Sequence, residues 1–156
     1  MDEADLRWLR RCVELAREAV DAGDFPFGSV LVDGTGRLRA EDRNREVSLA
    51  DPTRHPEFEL ARWAATHLTA AERRDATVYT SGEHCPMCAA AHAWTGLGRI
   101  VYAMSTTQLT ALQPGIVRPV RPLAVQDVAP HVVVAGPAPE LTDEIAALHR
   151  RARDTA

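Results

Sequence analysis

Two of the chain's three cysteines lie in the segment TSGEHCPMCAAAHAW at 80–94, with the spacing Cys85-x-x-Cys88. This spacing is typical of a redox pair, of a structural zinc site or of part of a catalytic metal site. If Pro86 begins a helix, both sulfurs lie at or in its first turn, where partial positive charge favours the metal-binding thiolate. The redox interpretation is the less favoured, because the chain lacks the thioredoxin-like topology in which that motif usually occurs.

A zinc site needs further ligands, and the six histidines offer two solutions. His92 lies four residues after Cys88 on the same helical face, and its use would give a closed, structural site. His55 also precedes a helix that begins with proline, and with the two cysteines it would supply three ligands. The fourth position would then be open to water, as in catalytic zinc sites. Glu57, close to that water, would carry protons.

Each of these residues has an ordinary explanation when it is taken alone. A histidine before a helix is usually a cap or a surface residue, and a glutamate in a first turn usually interacts with the helix dipole. Together, His55-x-Glu57 and Cys85-x-x-Cys88 match the compound signature of zinc-dependent nucleobase deaminases. The strength of the match lies in this conjunction, and in the position of each half at a predicted helix start.

The elements that must position these residues follow from hydrophobic periodicity. Helices are predicted at 5–22, 55–71, 86–97, 106–113 and 139–153, strands at 27–33, 76–81, 99–104 and 131–136, and a second hairpin strand after the glycine-rich turn that begins at 34. The proline-rich connection at 114–130 has no assigned structure. Because strands joined by helices are usually parallel, the order predicts an α/β fold. We expect a three-layer α/β/α sandwich, with a mixed sheet of about five strands that is antiparallel at one edge and has helices on both faces.

The composition is globular, with 46% hydrophobic and 26% charged residues and a net charge of −4 over 156 residues. We expect one domain over 1–156 that can form its core without a metal. All 18 basic residues are arginine, which excludes Schiff-base and P-loop lysines. The mild acidity argues against sequence-independent nucleic-acid binding. With no apolar run long enough to span a membrane, no apolar leader and few cysteines, we expect a cytoplasmic protein.

The chain resembles the cytidine deaminase-like superfamily, and within it the branch of guanine deaminases, tRNA adenosine deaminases and fungal cytosine deaminase, with the closest resemblance to guanine deaminases. The resemblance covers roughly residues 5–112 and rests on PFGSVLV at 26–32, Asn44, DPTRHPE at 51–57, TSGEHCPMC at 80–88 and RIVYAMS at 99–105. It implies one Zn²⁺ per chain held by His55, Cys85 and Cys88, with Glu57 as the catalytic proton carrier. It also implies that the two helices that carry these residues lie side by side under the sheet.

Two positions depart from the family pattern. Pro56 stands where the family usually has alanine, and since proline fits the first helical turn, His55 should still bind metal. His84 replaces a proline before Cys85, and it could line the pocket, donate to the substrate or face solvent. His92 does not correspond to a family ligand, so we expect it to be packed or on the surface.

The resemblance implies hydrolytic deamination of a small amino-substituted heterocycle, such as guanine, an aminotriazine or a modified base, with release of ammonia. Phe25, Phe27 and Trp94 are candidate aromatic walls for the ring, and core packing is the alternative for each. Asn44 matches a family asparagine that hydrogen-bonds the base. Glu83 could read an amino group or hold a loop.

Two alternatives stay open. Within the family, the substrate could be tRNA adenosine, a nucleoside or cytosine, although the acidity of the chain and Trp94, which guanine deaminase-like members share, favour a free base. Outside the family, the chain could be a non-catalytic binding module stabilised by a fully ligated zinc ion. Family members are usually dimers, so we expect a homodimer in which segment 139–156 of one chain could help to close the partner's pocket.

Overall fold

A computed structural model describes residues 1–154 and confirms the α/β architecture, built on a five-stranded mixed sheet. Its strands are β1 (Gly28–Val32), β2 (Leu38–Arg43), β3 (Thr77–Gly82), β4 (Arg99–Met104) and β5 (Val134–Ala135), in the spatial order β2-β1-β3-β4-β5. Strand β1 is antiparallel to both of its neighbours, whereas β3, β4 and β5 are parallel to one another. The predicted antiparallel edge is therefore confirmed.

Helices cover both faces of this sheet. They are α1 (Glu3–Asp21), α2 (Pro56–His67), α3 (Ala70–Asp75), α4 (Pro86–Thr95), α5 (Thr106–Ala111), α6 (Val125–Val128) and α7 (Thr142–Asp154), and a 3-10 turn at Pro139–Leu141 precedes the last. Helices α1 and α7 pack on one face of the sheet, while α2 packs on the other face with α4 at its side. The three layers and the pairing of α2 with α4 confirm the predicted arrangement.

The central strands divide the core in two because successive side chains point to opposite faces. Val30 and Val32 face α1, whereas Leu31 between them faces α2. All five residues of β1 are buried, since both faces of this strand are covered. Its sequence therefore does not alternate between apolar and polar residues in the way that a half-exposed strand does.

Two predicted elements differ from those in the structure. The single helix predicted at 55–71 is two helices, because Thr69 starts α3 with a capping box: Thr69 accepts from the Glu72 backbone N–H at 3.3 Å, and Glu72 accepts from the Thr69 backbone N–H at 2.8 Å. The strand predicted at 131–136 shortens to Val134–Ala135. Pro130 and Pro137 stand on either side of it and have no N–H for a strand ladder.

Within residues 1–154 no helix is long and apolar enough to span a membrane. The three cysteines are free thiols. Of the segment predicted to help close a partner's pocket, residues 139–154 are described, and residues 155 and 156 lie outside the described residues.

Candidate active site

Three predicted ligands converge where α2 and α4 begin. His55 is the N-cap of α2, Cys85 is the N-cap of α4, and Cys88 lies in the first turn of α4. Each of the atoms His55 Nδ1, Cys85 Sγ and Cys88 Sγ is 3.6 Å from the other two. A tetrahedral zinc site with bonds of about 2.0–2.3 Å has ligand separations of about 3.3–3.8 Å, so this donor set fits three of its corners. No other His, Cys, Asp or Glu of residues 1–154 joins this group, which we call the ligand cluster.

The imidazole of His55 is held from its far side. Its Nε2 lies 3.2 Å from Glu46 Oε1, which leaves Nδ1 for the metal. Burial opposes protonation of His55, but the hydrogen bonds with Cys85 and Glu46 outweigh it and raise the His55 pKa to about 10. Negative groups therefore surround the ring, and this environment favours a bound cation.

The two thiols share one hydrogen bond, with their sulfurs 3.6 Å apart, and this bond shifts their acidities in opposite directions. That hydrogen bond, together with His55, lowers the pKa of Cys85 to about 4. The same bond, and then burial, raise the pKa of Cys88 well above its usual value. Cys85 is therefore a thiolate at neutral pH, the form that binds metal, and Cys88 would have to lose its proton to a bound metal ion.

Glu57 lies beside the ligand cluster in the first turn of α2 and is buried. Its Oε1 accepts a hydrogen bond from Thr80 Oγ1 at 2.7 Å and lies 3.2 Å from Ser29 Oγ. Its Oε2 lies 3.8 Å from Cys88 Sγ. Burial raises the pKa of Glu57, and a raised carboxyl pKa suits a group that both accepts and releases protons near neutral pH. One oxygen is thus anchored to the sheet, and the other faces the metal ligands.

Sequence reasoning did not identify Ser29 and Thr80. They are direct partners in the antiparallel β1–β3 ladder, and Ser29 Oγ donates to Thr80 Oγ1 at 2.9 Å. Each lies two residues from an apolar side chain that packs toward α2, Leu31 on β1 and Val78 on β3. A hydroxyl at that spacing, on an otherwise apolar strand face, was the available signal.

A cavity of about 540 Å³ opens beside the ligand cluster, a volume within the range of about 300–1,000 Å³ typical of small-molecule sites. Its polar lining includes Glu46, His55, Glu57, Glu83 and Cys85. Its apolar lining includes Phe25, Phe27, Pro52, Met87, Leu109 and the loop residues 116, 117, 119, 120 and 122. The arrangement combines an apolar ring-sized space with convergent acid–base groups at one end.

Glu83 holds the segment between α5 and α6, which forms part of the cavity lining. Its Oε2 accepts from the Thr106 backbone N–H at the start of α5, at 2.7 Å, and its Oε1 accepts from the Val125 backbone N–H at the start of α6, at 2.9 Å. The loop 112–124 between these helices supplies residues 113 and 116–122 of the lining. Glu83 therefore holds a loop and lines the cavity at the same time.

A family model of the cytidine and deoxycytidylate deaminase zinc-binding region matches residues 2–104, which include the ligand cluster and Glu57. The chain belongs to this deaminase family. Within the matched zinc-binding region, His55, Cys85 and Cys88 are the group that could hold a metal ion, and their donor set and spacing fit zinc.

Similar proteins carry several deaminase descriptions. A "Probable cytosine deaminase" of Schizosaccharomyces pombe is 35% identical over 115 residues, which cover 72% of this chain and 67% of the relative. A guanine deaminase of Bacillus subtilis is 41% identical over 101 residues, 64% of each chain. A tRNA-specific adenosine deaminase of Haemophilus influenzae is 32% identical over 110 residues, 70% of this chain and 64% of that relative. The matched region thus spans about two thirds of these relatives' length.

Solved deaminase structures share the fold. The guanine deaminase of Nitrosomonas europaea has a TM-score of 0.71 over 94% of this chain and 83% of that one, at 23% identity, which shows the fold alone. The guanine deaminase of Bacillus subtilis has a TM-score of 0.61 over 72% and 71% of the two chains, at 34% identity.

In this deaminase-family chain, the predicted substrate-contacting residues do not all reach the cavity. Phe27 lines it, and its ring packs edge-on against His149 with centroids 5.2 Å apart. Asn44 is fully buried, does not line the cavity, and bonds Glu46 through its side chain. Trp94 is 90% exposed and lines a separate cleft of about 780 Å³ along α4 and α6. A single chain therefore does not bring Asn44 or Trp94 to the cavity.

His84 was predicted to line the pocket, donate to the substrate or face solvent, but the structure places it in the interior, away from both the cavity and solvent. His84 is 1% exposed and packs edge-on against His92, with ring centroids 5.4 Å apart. Glu83 and Cys85, on either side of it, line the cavity, and side chains alternate in extended backbone, so that His84 points elsewhere. His92 is buried outside the ligand cluster, with Nε2 at 2.9 Å from the Gly98 carbonyl oxygen.

Proposed function

We propose that the chain is a single zinc-dependent deaminase domain over 1–156 that removes the amino group of a small heterocycle by hydrolysis. Candidate substrates are guanine, an aminotriazine or a modified base. The observation that carries the proposal is the placement of Glu57 Oε2 beside the ligand cluster at the polar end of the cavity. The relatives are described as deaminases of different bases, so loss of an amino group is the chemistry that they have in common.

The proposed mechanism assigns proton transfer to Glu57. Zinc held by the ligand cluster would supply Lewis-acid activation of water at an open fourth position. Glu57 Oε2 would accept one proton of the attacking water and deliver it to a ring nitrogen, and it would later carry the remaining proton of the added hydroxyl to the leaving amine. Water adds at the carbon that bears the amino group, the C–N bond breaks, and ammonia leaves. Because Thr80 Oγ1 donates to Oε1, Oε2 is the oxygen that remains for these transfers.

The substrate ring is proposed to lie against Phe27. This side chain lines the cavity, and its position is restricted by His149 and by Gly82, where an added Cβ would lie 2.9 Å from the Phe27 ring. The apolar walls exclude bulk water and so strengthen the electrostatic interactions at Glu57. Glu83 keeps the loop 112–124 in place as the opposite wall.

Two properties favour a free base over tRNA. The net charge is −4, whereas nucleic-acid binding draws on many basic phosphate contacts. Among the described residues that line the cavity, the only arginines are Arg118 and Arg121, and Arg118 donates to Gln113 at 2.6 Å. tRNA adenosine, nucleosides and cytosine are the alternatives to be tested.

We also propose a homodimer in the cytoplasm. Trp94 and Val133 are 90% and 65% exposed along the apolar cleft beside α4, and contiguous exposed apolar surface marks interaction sites. A second copy seated on this cleft would remove the Trp94 and Val133 side chains from water.

The proposed cytoplasmic location rests on the three free thiols, which fit a reducing compartment.

The test is ammonia release by the zinc-loaded protein from guanine, aminotriazines, cytosine, nucleosides and tRNA, with Glu57→Gln as the matched inactive control. We expect release from at least one free base. Activity on tRNA alone would overturn the free-base assignment. One bound zinc per chain without release from any substrate would favour the non-catalytic binding module.

A further inference from the structure

Glu46 stands directly behind the metal ligand His55. Its Oε1 lies 3.2 Å from His55 Nε2, whereas the other ring nitrogen, Nδ1, lies 3.6 Å from both cysteine sulfurs. The two nitrogens of the ring therefore face opposite partners, a carboxylate on one side and two sulfur ligands on the other.

Asn44 fixes the position of Glu46. Asn44 Nδ2 donates to Glu46 Oε1 at 2.6 Å, and Asn44 Oδ1 accepts from the Glu46 backbone N–H at 3.0 Å. Asn44 is itself fully buried, and its backbone N–H donates to the Phe27 carbonyl oxygen at 2.9 Å. A connected series of contacts thus extends from the end of β2 through Asn44 and Glu46 to His55.

We propose that Glu46 is a positioning residue that sets the tautomer and orientation of His55, and that Asn44 supports the metal site by holding Glu46. A carboxylate that accepts the second N–H of a ligating histidine determines which nitrogen binds metal and strengthens that nitrogen as a donor. Asn44 holds Glu46 at two points, since its Nδ2 donates to the Glu46 carboxylate and its Oδ1 accepts from the Glu46 backbone N–H.

The surroundings of Glu46 set it apart from a carboxylate that only balances surface charge. Its side chain is 18% exposed, and no arginine of residues 1–154 forms an ion pair with it. Glu59, which is 24% exposed, pairs instead with Arg54 at 3.3 Å and Arg62 at 3.2 Å. Glu59 lies on the same helix as Glu57, so it offers a matched control close to the site.

The experiment measures zinc affinity by competition with a chromophoric chelator, and the visible absorption of the Co²⁺-substituted protein, for the full chain. We expect Glu46→Ala to weaken zinc binding about 10- to 100-fold and to shift the cobalt bands, because outer carboxylates typically contribute that much. Glu46→Gln should lose less, since its amide oxygen can still accept from Nε2. Glu59→Gln should bind zinc as the wild type does.

Zinc affinity and a cobalt spectrum unchanged in Glu46→Ala would overturn the proposal. If that variant fails to fold, the spectrum of Glu46→Gln decides, and a spectrum identical to that of the wild type would count against a positioning role. Asn44→Ala should weaken zinc in the same direction as Glu46→Ala, with little further loss in the double variant. A raised KM with normal zinc affinity would instead assign Asn44 to substrate binding.

This inference depends on the metal site of the proposed deaminase but is measured without catalysis. Weaker zinc binding in Glu46→Ala, combined with no ammonia release by the wild type, would support the positioning role and count against the deaminase. An active wild type, combined with unaltered zinc affinity in Glu46→Ala, would support the deaminase and count against the positioning role.

Discussion

Two groups of side chains around α4 contain histidines, and the ring nitrogens of these histidines have very different partners. In the ligand cluster, His55 contacts two sulfurs through Nδ1 and a carboxylate through Nε2. In the second group, which we call the histidine pair, His84 and His92 pack edge-on, and three of their four ring nitrogens are buried without a partner among the described residues. The cluster raises the pKa of His55 to about 10, whereas burial lowers the pKa of His92 to about 4.

A histidine thus belongs to the site because of the groups that its ring contacts in the fold, and not because it is close to the cysteines in sequence. His84 is adjacent to Cys85, yet it is buried away from the cavity, while His55 reaches Cys85 from 30 residues away. Acidic partners favour a cation at His55. Uncompensated burial keeps the histidine pair neutral, at a cost of about 1–3 kcal/mol for each unsatisfied group.

The largest difference between the two groups should appear when one histidine of each is removed. His55→Ala should lose zinc and all deaminase activity, because two sulfurs alone cannot complete the site. His92→Ala should keep one zinc per chain, since it lies outside the ligand cluster. Metal content after dialysis, together with ammonia release, measures both. Loss of zinc in His92→Ala would support the closed structural site instead.

The next largest effect is expected at Glu57. Glu57→Gln keeps the shape of the side chain and can still accept from Thr80, but it cannot carry a proton. Turnover should fall about 10²- to 10⁴-fold, the usual contribution of a general acid–base group, while zinc stays bound. Steady-state kinetics and metal analysis on one preparation test this. Wild-type turnover in the variant would remove Glu57 from the mechanism.

The compound motif and the resemblance to the deaminase family predicted the three metal ligands and Glu57, and each half of the motif has a local signal. His55 and Cys85 both cap helices that begin with proline, and Glu57 and Cys88 lie in the turns that follow. Element order predicted the mixed sheet, whereas the pairing of α2 with α4 was predicted from the resemblance to the deaminase family. The break between α2 and α3 was also local, in the capping box of Thr69, but apolar periodicity alone does not detect a cap.

The residues that were missed act only through tertiary contacts. Ser29 reaches Thr80 across 51 residues, through a strand register that the sequence does not specify. Glu46 precedes His55 by a loop whose path must be known before the contact can be inferred. None of the three placements considered for His84 was the interior, because the direction of its side chain depends on how the backbone continues after β3.

A smaller effect is expected for Glu83, a carboxylate that accepts backbone hydrogen bonds and has no assigned part in proton transfer. Both oxygens of Glu83 accept backbone N–H groups, so the amide of Glu83→Gln would face one of these donors. The loss should be about 1.5–3 kcal/mol of stability, the usual worth of a hydrogen bond to a charged group, with a raised KM as the loop 112–124 loosens. Urea unfolding measures the stability and steady-state kinetics the KM, with Glu59→Gln, which changes a partly buried carboxylate that pairs with arginines, as the control. A destabilised variant with normal KM would show that the loop does not shape the cavity.

The smallest expected effect concerns the histidine pair and pH. The pKa of His92 is about 4 when folded and about 6.5 when unfolded, so between these values the unfolded chain binds more protons. The free energy of unfolding should therefore fall as the pH drops through this window, by at most about 1.4 kcal/mol per pH unit for this one group.

His92→Leu should make this pH dependence of the unfolding free energy shallower. Its lost bond to the Gly98 carbonyl oxygen changes stability equally at every pH and so leaves the slope unaffected. Urea denaturation at pH 7, 6 and 5, with chelator present to remove any contribution from metal release, measures the two slopes. Parallel slopes for wild type and variant would mean that His92 titrates normally, and the contrast with His55 would then rest on geometry alone.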